Sequence, residues 1–210
     1  MSKYRITYSE GEEVRFISHL DFLRTMVRAF KRAKLPVKYS EGFNPHMVMS
    51  IGLPLSVGTT TECDMLELEL TEEIDIKKAL DDINNVLPRG IKALDITKAD
   101  GLPPMHTIVS ALYTAEFETD KQITLDEYIN APCVIIEKKS KRKINEVNIK
   151  DFVRGIEIIE TDGKCNKLKL HLNAGNNSNL KPELVIKSME DFYGTKASYV
   201  KINRCEIYFE

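Results

Sequence analysis

The chain has 210 residues, of which 42% are hydrophobic and 30% charged, and its formal net charge is −2. This composition is typical of a globular chain that buries a core, and it excludes a polycation and a low-complexity chain. Residues 1–60 carry nine Lys and Arg against five Asp and Glu, whereas residues 61–90 carry three against nine. The uneven charge predicts a basic surface on a nearly neutral protein.

The four cysteines, Cys63, Cys133, Cys165 and Cys205, are far apart and form no CxxC or CxxH pair. Zinc and iron–sulfur sites therefore lack their usual signature, and we predict no metal and no cofactor. The spacing favours four buried, reduced thiols. The first residues contain no apolar leader, and no apolar run is long enough to span a membrane. We therefore expect a cytoplasmic protein without a membrane partner.

The first hundred residues alternate between strand and helix patterns. Residues 3–9 alternate as a strand, and residues 18–35 have helical periodicity. Strands over 47–54 and 60–70, a helix from Ile76 and a strand from Ile91 complete the order βαββαβ. This is the order of the ferredoxin-like, split βαβ arrangement.

The helix predicted over residues 18–35 is strongly basic on one face. Ser18 followed by Asp21 is typical of a capped helix start. The expected core face consists of Leu20, Leu23, Met26, Val27 and Phe30. Arg24, Arg28 and Arg32 recur at every fourth position, with Lys31 and Lys34 beside them. Like charges at this spacing weaken an isolated helix. Two explanations for the row remain open: it binds a polyanionic partner, or it is simply a solvated helix face.

The second half begins after residues 100–106, whose one Gly and two Pro predict a linker. Strands are predicted over 109–119, from Cys133, after a helical turn near residue 149, and over 167–173. A short helix follows Thr124, whose partner in a capping box is Glu127, and a longer one runs from Pro182 to a Gly194 cap. In the last strand, the alternate positions that are apolar, and so expected to face the core, shift by one residue near Arg204, which indicates a bulge. The element order predicts an α+β protein of two tandem ferredoxin-like halves, 1–100 and 101–210.

The segment GFNPH, residues 42–46, is the second candidate site. Gly42, Asn44 and Pro45 predict a turn, which leaves His46 and the later Ser50 unexplained. We expect Asn44, His46 and Ser50 to approach Arg15 and His19, where the free N–H groups of a helix start attract anions. His19 and His46 are the candidate general acid or base if the chain is an enzyme.

Residues 138–143 form a second basic cluster, for which a solvated hairpin tip is the simpler explanation. Lys and Arg bind the phosphates of nucleic acids with release of counterions. The predicted RNA- or phosphate-binding residues are Arg15, Arg24, Arg28, Lys31, Arg32, Lys38, Asn44, His46, Ser50, Lys141 and Arg142.

Residues 11–70 resemble the uncharacterised bacterial proteins called radical-SAM-linked. The resemblance is carried by Arg15-Phe16, Ser18-His19-Leu20-Asp21, Tyr39-Ser40, Gly42-Phe43-Asn44-Pro45, Leu53-Pro54, Val57-Gly58 and Asp64. At His46 and Met47 the chain departs from the more basic or proline-containing pair that is common in the family. The resemblance implies a radical SAM enzyme as partner and genes of RNA processing nearby, but no established activity. The chain lacks the CxxxCxxC motif of the radical SAM catalyst itself.

The basic helix and this resemblance together predict a non-catalytic RNA-binding or substrate-presenting partner of a radical SAM enzyme in RNA or ribosome modification. One alternative is a metal-independent RNA endonuclease that uses His19 or His46. The other is a purely protein-binding adaptor whose basic helix contacts an acidic surface. The sequence leaves the oligomeric state open.

Overall fold

The computed structural model describes residues 2–139 and 144–210. The chain divides into two compact units, Met1–Thr107 and Ile108–Glu210. The boundary follows the Gly- and Pro-containing segment that the sequence predicts as a linker. Helices and antiparallel strands occur in both units, so the predicted α+β class is confirmed.

The described residues of the first unit form two α-helices and four strands in the order βαββαβ, followed by a short 3-10 helix, Met105–Thr107. Its elements are β1 (Ser2–Glu10), α1 (His19–Arg32), β2 (Met49–Ile51), β3 (Thr59–Leu70), α2 (Ile76–Asn84) and β4 (Ile91–Lys98). The strands pair antiparallel in the spatial order β4-β1-β3-β2. Chain neighbours β1 and β2 are therefore separated by β3.

Helix α1 packs on the sheet through Phe22, Met26, Ala29 and Phe30, none of which is more than 3% exposed. The Phe22 ring stacks on Tyr8 of β1 with ring centroids 4.9 Å apart. The buried face of α1 is therefore rotated about the helix axis relative to the predicted core face. Leu20 is 62% exposed, and Leu23 and Val27 are only half-buried. Both sets have helical spacing, but the larger Phe22 ring and the small Ala29 fit the sheet more closely.

The predicted start of α1 is confirmed. The Asp21 backbone N–H donates to the Ser18 hydroxyl over 3.2 Å, and this hydroxyl donates to the Asp21 carboxylate over 2.8 Å. Hydrogen bonds from Ser18 and Arg24 hold the pKa of Asp21 below its ordinary value. The helix ends at Arg32, and Lys34 then takes a left-handed conformation with φ 55°.

The second unit has six strands among its described residues, two more than the first unit. Its elements are β5 (Ile108–Thr119), α3 (Leu125–Asn130), β6 (Ile135–Lys139), β7 (Ile144–Asn148), β8 (Val153–Asp162), β9 (Cys165–Asn173), α4 (Pro182–Tyr193) and β10 (Ala197–Phe209). Four strands form an antiparallel sheet in the order β10-β5-β9-β8, and β6 pairs with β7 separately. The sequence predicts β6 but not its partner β7, because the largely polar segment INEVN lacks the apolar alternation typical of a strand.

Several local predictions for the second unit are confirmed. Leu168, Leu170 and Leu172 of β9 are all 0% exposed, as their alternation requires. Gly194 caps α4 in the left-handed conformation, with φ 59°. The pairing of β10 with β5 shifts register between Arg204 and Glu206, where the sequence predicts a bulge.

The predicted burial of the cysteines is wrong. Cys133 and Cys165 are exposed, Cys63 and Cys205 are only half-buried, and none of the four forms a disulfide bond in the described part of the chain. In β9 the buried positions alternate from Asn166 to Leu172, which leaves Cys165 exposed. Of the described helices, none is long and apolar enough to cross a membrane.

Candidate nucleic-acid interface

The outer face of α1 carries a row of cations. Arg24, Arg28, Lys31 and Arg32 are all exposed. At 100° per residue, Arg24, Arg28 and Lys31 lie opposite the buried side chains of the helix. We call these three residues the cationic face. The core packing of α1 therefore directs them towards solvent.

Little of this positive charge is neutralised by the chain itself. Arg24 donates to the Asp21 carboxylate over 3.0 Å, one turn earlier in the helix. Arg28 and Lys31 form no ion pair within 4.0 Å in the part of the chain that the structure describes. Arg32 differs, because its Nη2 donates to the backbone carbonyl of Val86 over 2.7 Å, just after α2. Arg32 therefore also anchors α1 to the end of α2.

Exposed aromatic rings lie near both ends of the cationic face. Phe16, two residues before the Ser18 cap, is 69% exposed, and the Arg15 guanidinium lies 4.6 Å from its ring centroid. Beyond the last turn, Tyr39 is 40% exposed, and its ring centroid is 5.9 Å from Lys31 Nζ. Phe43 is fully exposed. Such rings cost free energy in water and provide flat apolar surfaces for a partner.

A small polar cleft lies at the start of α1, lined in part by Glu10, Arg15, Ser18, His19 and Thr59. The Thr59 hydroxyl is buried and has no hydrogen-bond partner in the described part of the chain. Arg15 pairs with Glu12 over 2.7 Å, and the Glu10 carboxylate is nearly buried. Because a buried carboxylate opposes a second negative charge, the cleft suits a water molecule better than a phosphate.

The GFNPH turn does not join this cleft. His46 Nδ1 lies 2.8 Å from the Ser40 hydroxyl, and Tyr39 pairs with Met47. This hairpin is beside the last turn of α1, as the approach of Lys31 to Tyr39 requires. His19 starts the same helix, and the rise from His19 to Lys31 is about 18 Å. His46 therefore lies away from His19, and the two histidines do not form one catalytic pair. Ile51, next to Ser50, does line the cleft with Arg15 and His19.

The other predicted binding residues are dispersed. Lys38 donates to Glu69 over 2.8 Å, so its charge is largely neutralised. Asn44 is exposed in the turn, and Ser50 of β2 pairs with Glu67 of β3. Lys141 and Arg142 lie outside the described residues.

The second unit has a polar sheet face of a different character. Cross-strand pairing places Lys201, Glu116, Lys167 and Glu160 in one row of alternating charge. Lys167 donates to Glu116 over 2.6 Å, which holds the pKa of Glu116 below its ordinary value. A cleft of about 400 Å³ beside this row is lined by four carboxylates and two lysines, namely Glu116, Glu118, Glu160, Asp162, Lys167 and Lys201. This excess of negative charge disfavours phosphate binding there.

Sequence reasoning missed Phe16 as part of the surface. Its signal is the RF pair before Ser18, which lies outside the helix and in no strand. Among the described residues, no group of three or more His, Cys, Asp or Glu is placed to hold a metal ion. The exposed side chains on and beside α1 include cations and aromatic rings, which can contact an anionic partner.

The fold and this surface define an α+β protein with a cationic, aromatic-flanked helix. A family model described as "Uncharacterized protein conserved in bacteria (DUF2344)" matches residues 3–182. The chain therefore belongs to this family, and the predicted membership of an uncharacterised bacterial family is confirmed. No curated protein matches the chain.

A solved structure titled "Crystal Structure of a Cbf5-Nop10-Gar1 Complex" contains a chain with some similarity in fold. The two share 13% sequence identity with a TM-score of 0.48. The alignment covers 89% of this chain and 45% of the other, so this chain spans less than half the length of that neighbour. Similarity at this level carries no argument about function.

Proposed function

We propose that this chain is a non-catalytic RNA-binding or substrate-presenting partner of a radical SAM enzyme, and that the cationic face of α1 contacts the RNA. The observation that carries the proposal is the exposure of Arg24, Arg28 and Lys31, of which only Arg24 pairs with a described carboxylate. Cations spaced three and four residues apart repel each other. Phosphates bound along the helix relieve this repulsion and release counterions.

The radical SAM partner rests on the resemblance of residues 11–70. The chain has no iron–sulfur motif, so the enzyme supplies the radical chemistry in this proposal and the chain supplies contacts with the substrate. The substrate is RNA or the ribosome, and the assembly is cytoplasmic. An acidic cleft in the second unit and a cationic face in the first are consistent with two different binding tasks.

We infer further that both units are ferredoxin-like. In the first unit, the element order βαββαβ and the strand order β4-β1-β3-β2 support this inference. In the second, β5, β8, β9 and β10 have the same relative order once the β6–β7 hairpin is treated as an insertion. The fold by itself says nothing about RNA, because similar folds have many functions.

The salt dependence of RNA binding tests the proposal. The variant Arg24→Gln/Lys31→Gln/Arg28→Gln removes three positive charges and leaves Arg32, with its structural bond, in place. The matched control is Lys77→Gln/Lys78→Gln/Lys92→Gln, which removes the same charge from exposed positions on α2 and β4. We measure the dissociation constant for a single-stranded RNA by fluorescence anisotropy from 50 to 200 mM salt.

Each phosphate contact contributes about 0.7 to the slope of log K against log salt for a single strand. The α1 variant is expected to flatten this slope by about 2, whereas the control leaves it nearly unchanged. If both variants reduce binding equally, the effect is one of net charge and the cationic face is not the site. If the wild type binds no RNA even at 50 mM salt, the proposed function is wrong.

The exposed Leu20 beside the cations supports the protein-binding adaptor as a second candidate. In that case the same α1 variant loses capture of the radical SAM enzyme, and RNA has no effect on capture.

The endonuclease alternative makes another prediction, because a general acid or base contributes about 10²–10⁴-fold to turnover. RNA cleavage by the purified chain that is lost in His19→Ala would establish it; we expect intact RNA.

A further inference from the structure

We propose that the RNA bound by α1 is single-stranded, and that Phe16 and Phe43 stack on its bases at the two ends of the cationic face. This inference rests on the proposed RNA binding and specifies the class of ligand. Proteins that bind single strands combine a basic surface along the backbone with aromatic rings for the bases. The first unit contains both components on one helix and its flanking loops.

Phe16 is held as a stacking platform before the helix. Its ring is 69% exposed, and Arg15 covers it with a guanidinium 4.6 Å from the centroid. The backbone is fixed here because Gly58 N–H donates to the Arg15 carbonyl over 2.6 Å. Gly58 has φ 93°, and a Cβ at this position would be 3.8 Å from the Phe16 ring. Glycine at position 58 therefore permits the turn, because its φ is one that other residues rarely adopt.

The second platform lies beyond the last turn of α1. Gly42, with φ 114°, starts the turn that presents Phe43, which makes no contact that limits its exposure. The turn is closed by the Ser40 N–H, which donates to the His46 carbonyl over 2.8 Å, and by the Ser40–His46 side-chain contact. His46 thus acquires a structural explanation as the residue that closes the loop carrying Phe43.

These rings favour a single strand over a duplex. In a duplex the base faces are stacked on each other, so an exposed ring gains little unless it unstacks a step. Phosphate contacts from Arg24, Arg28 and Lys31 alone suit either form. The helix from His19 to Arg32 is about 20 Å long, which allows several nucleotides to lie between the two platforms. An exposed protein-binding patch is the other explanation for the rings, and the experiment separates it from this one.

The experiment measures binding of a 12-nucleotide single-stranded RNA and of a duplex of the same sequence. The variants are Phe16→Ala, Phe43→Ala and, as a rescue, Phe16→Trp. The matched control is Leu94→Ala, which removes a 40% exposed apolar side chain from β4. Thermal unfolding of each variant checks that the fold is intact. Both phenylalanines are exposed enough that their removal should leave it so.

Each Phe→Ala variant is expected to weaken single-strand binding about 5- to 150-fold, the worth of one stacked base. The salt slope stays unchanged, because no cation is removed. Phe16→Trp restores affinity, and Leu94→Ala and duplex binding change little. RNA binding that is equal for both forms and insensitive to both phenylalanines would overturn this inference and leave the cationic face as the site. Loss of enzyme capture in the Phe variants without any loss of RNA affinity would also overturn it and identify a protein contact.

Discussion

The buried ion pair between Arg5 of β1 and Glu67 of β3 should control the stability of the first unit. Arg5 is 5% exposed and Glu67 8% exposed. Two guanidinium nitrogens of Arg5 donate to Glu67 Oε1, over 3.3 Å and 2.7 Å. The second of these also donates to the Pro103 carbonyl over 2.5 Å, so Arg5 ties the segment after β4 to the sheet. When Arg5 is replaced, Glu67 keeps its ion pair with Lys3, whose Nζ lies 3.3 Å from Glu67 Oε2.

Breaking a buried pair by removing one partner typically costs about 3–5 kcal/mol. Because Lys3 remains, we expect Arg5→Met to lower the free energy of unfolding by about 3 kcal/mol. With a urea dependence of about 1.5 kcal/mol per M, the unfolding midpoint falls by about 2 M. Circular dichroism during urea titration measures it.

The double variant Arg5→Met/Glu67→Met provides the decisive comparison. Replacing both charges with apolar side chains removes the stranded carboxylate, so the double variant should be more stable than Arg5→Met alone. A double variant whose loss equals the sum of the two single losses would refute the pairing argument. Arg24→Gln, which breaks an exposed pair, is the control and should cost less than about 1 kcal/mol.

Two further predictions concern backbone conformation and pH. Gly175 has φ 121°, and a Cβ there would clash with the Ile108 carbonyl; Gly175→Ala should cost at least about 3 kcal/mol in urea unfolding. Gly163→Ala, where φ is 63° and the space is open, should cost only about 1 kcal/mol. The hydrogen bond from Lys38 lowers the pKa of Glu69, so this pair stabilises the fold above the ordinary carboxyl pKa and loses that contribution as pH falls through the lowered value. Lys38→Met should make stability less dependent on pH in that acidic range, and an unchanged acid profile by circular dichroism would contradict the assignment.

The sequence predicts the elements of the first unit well because each has a strong local signal. The Ser18 cap, the alternation of β3 and the Pro- and Gly-containing turns all act over a few residues. The rotation of α1 was not predictable in the same way. Leu20 and Phe22 are both apolar, and only the shape of the sheet beneath decides which one it accommodates.

The candidate site shows the same division between local and tertiary information. The row of Arg24, Arg28 and Arg32, with Lys31 beside it, could be read from helical spacing, and its exposure follows from the helix period. The bond from Arg32 to Val86 joins residues 54 positions apart, so no local pattern distinguishes Arg32 from Arg28. The separation of His19 from His46 likewise depends on the path of the chain after the helix, which returns beside its last turn.

The charge distribution provides the strongest argument that α1 serves a partner. A chain with net charge −2 has enough carboxylates to neutralise Arg28 and Lys31. Elsewhere it does so, as Lys38 pairs with Glu69 and Lys167 with Glu116. On the outer face of α1, Asp21 pairs with Arg24, and the other residues beside the cations are Leu20 and the half-buried Val27. Stability alone favours acids at such positions, since each pair of opposite charges on a helix adds about 0.2–0.5 kcal/mol. Arg28 and Lys31 form no such pair among the described residues. Removing their charges should therefore change the salt dependence of the proposed binding far more than the stability of the fold.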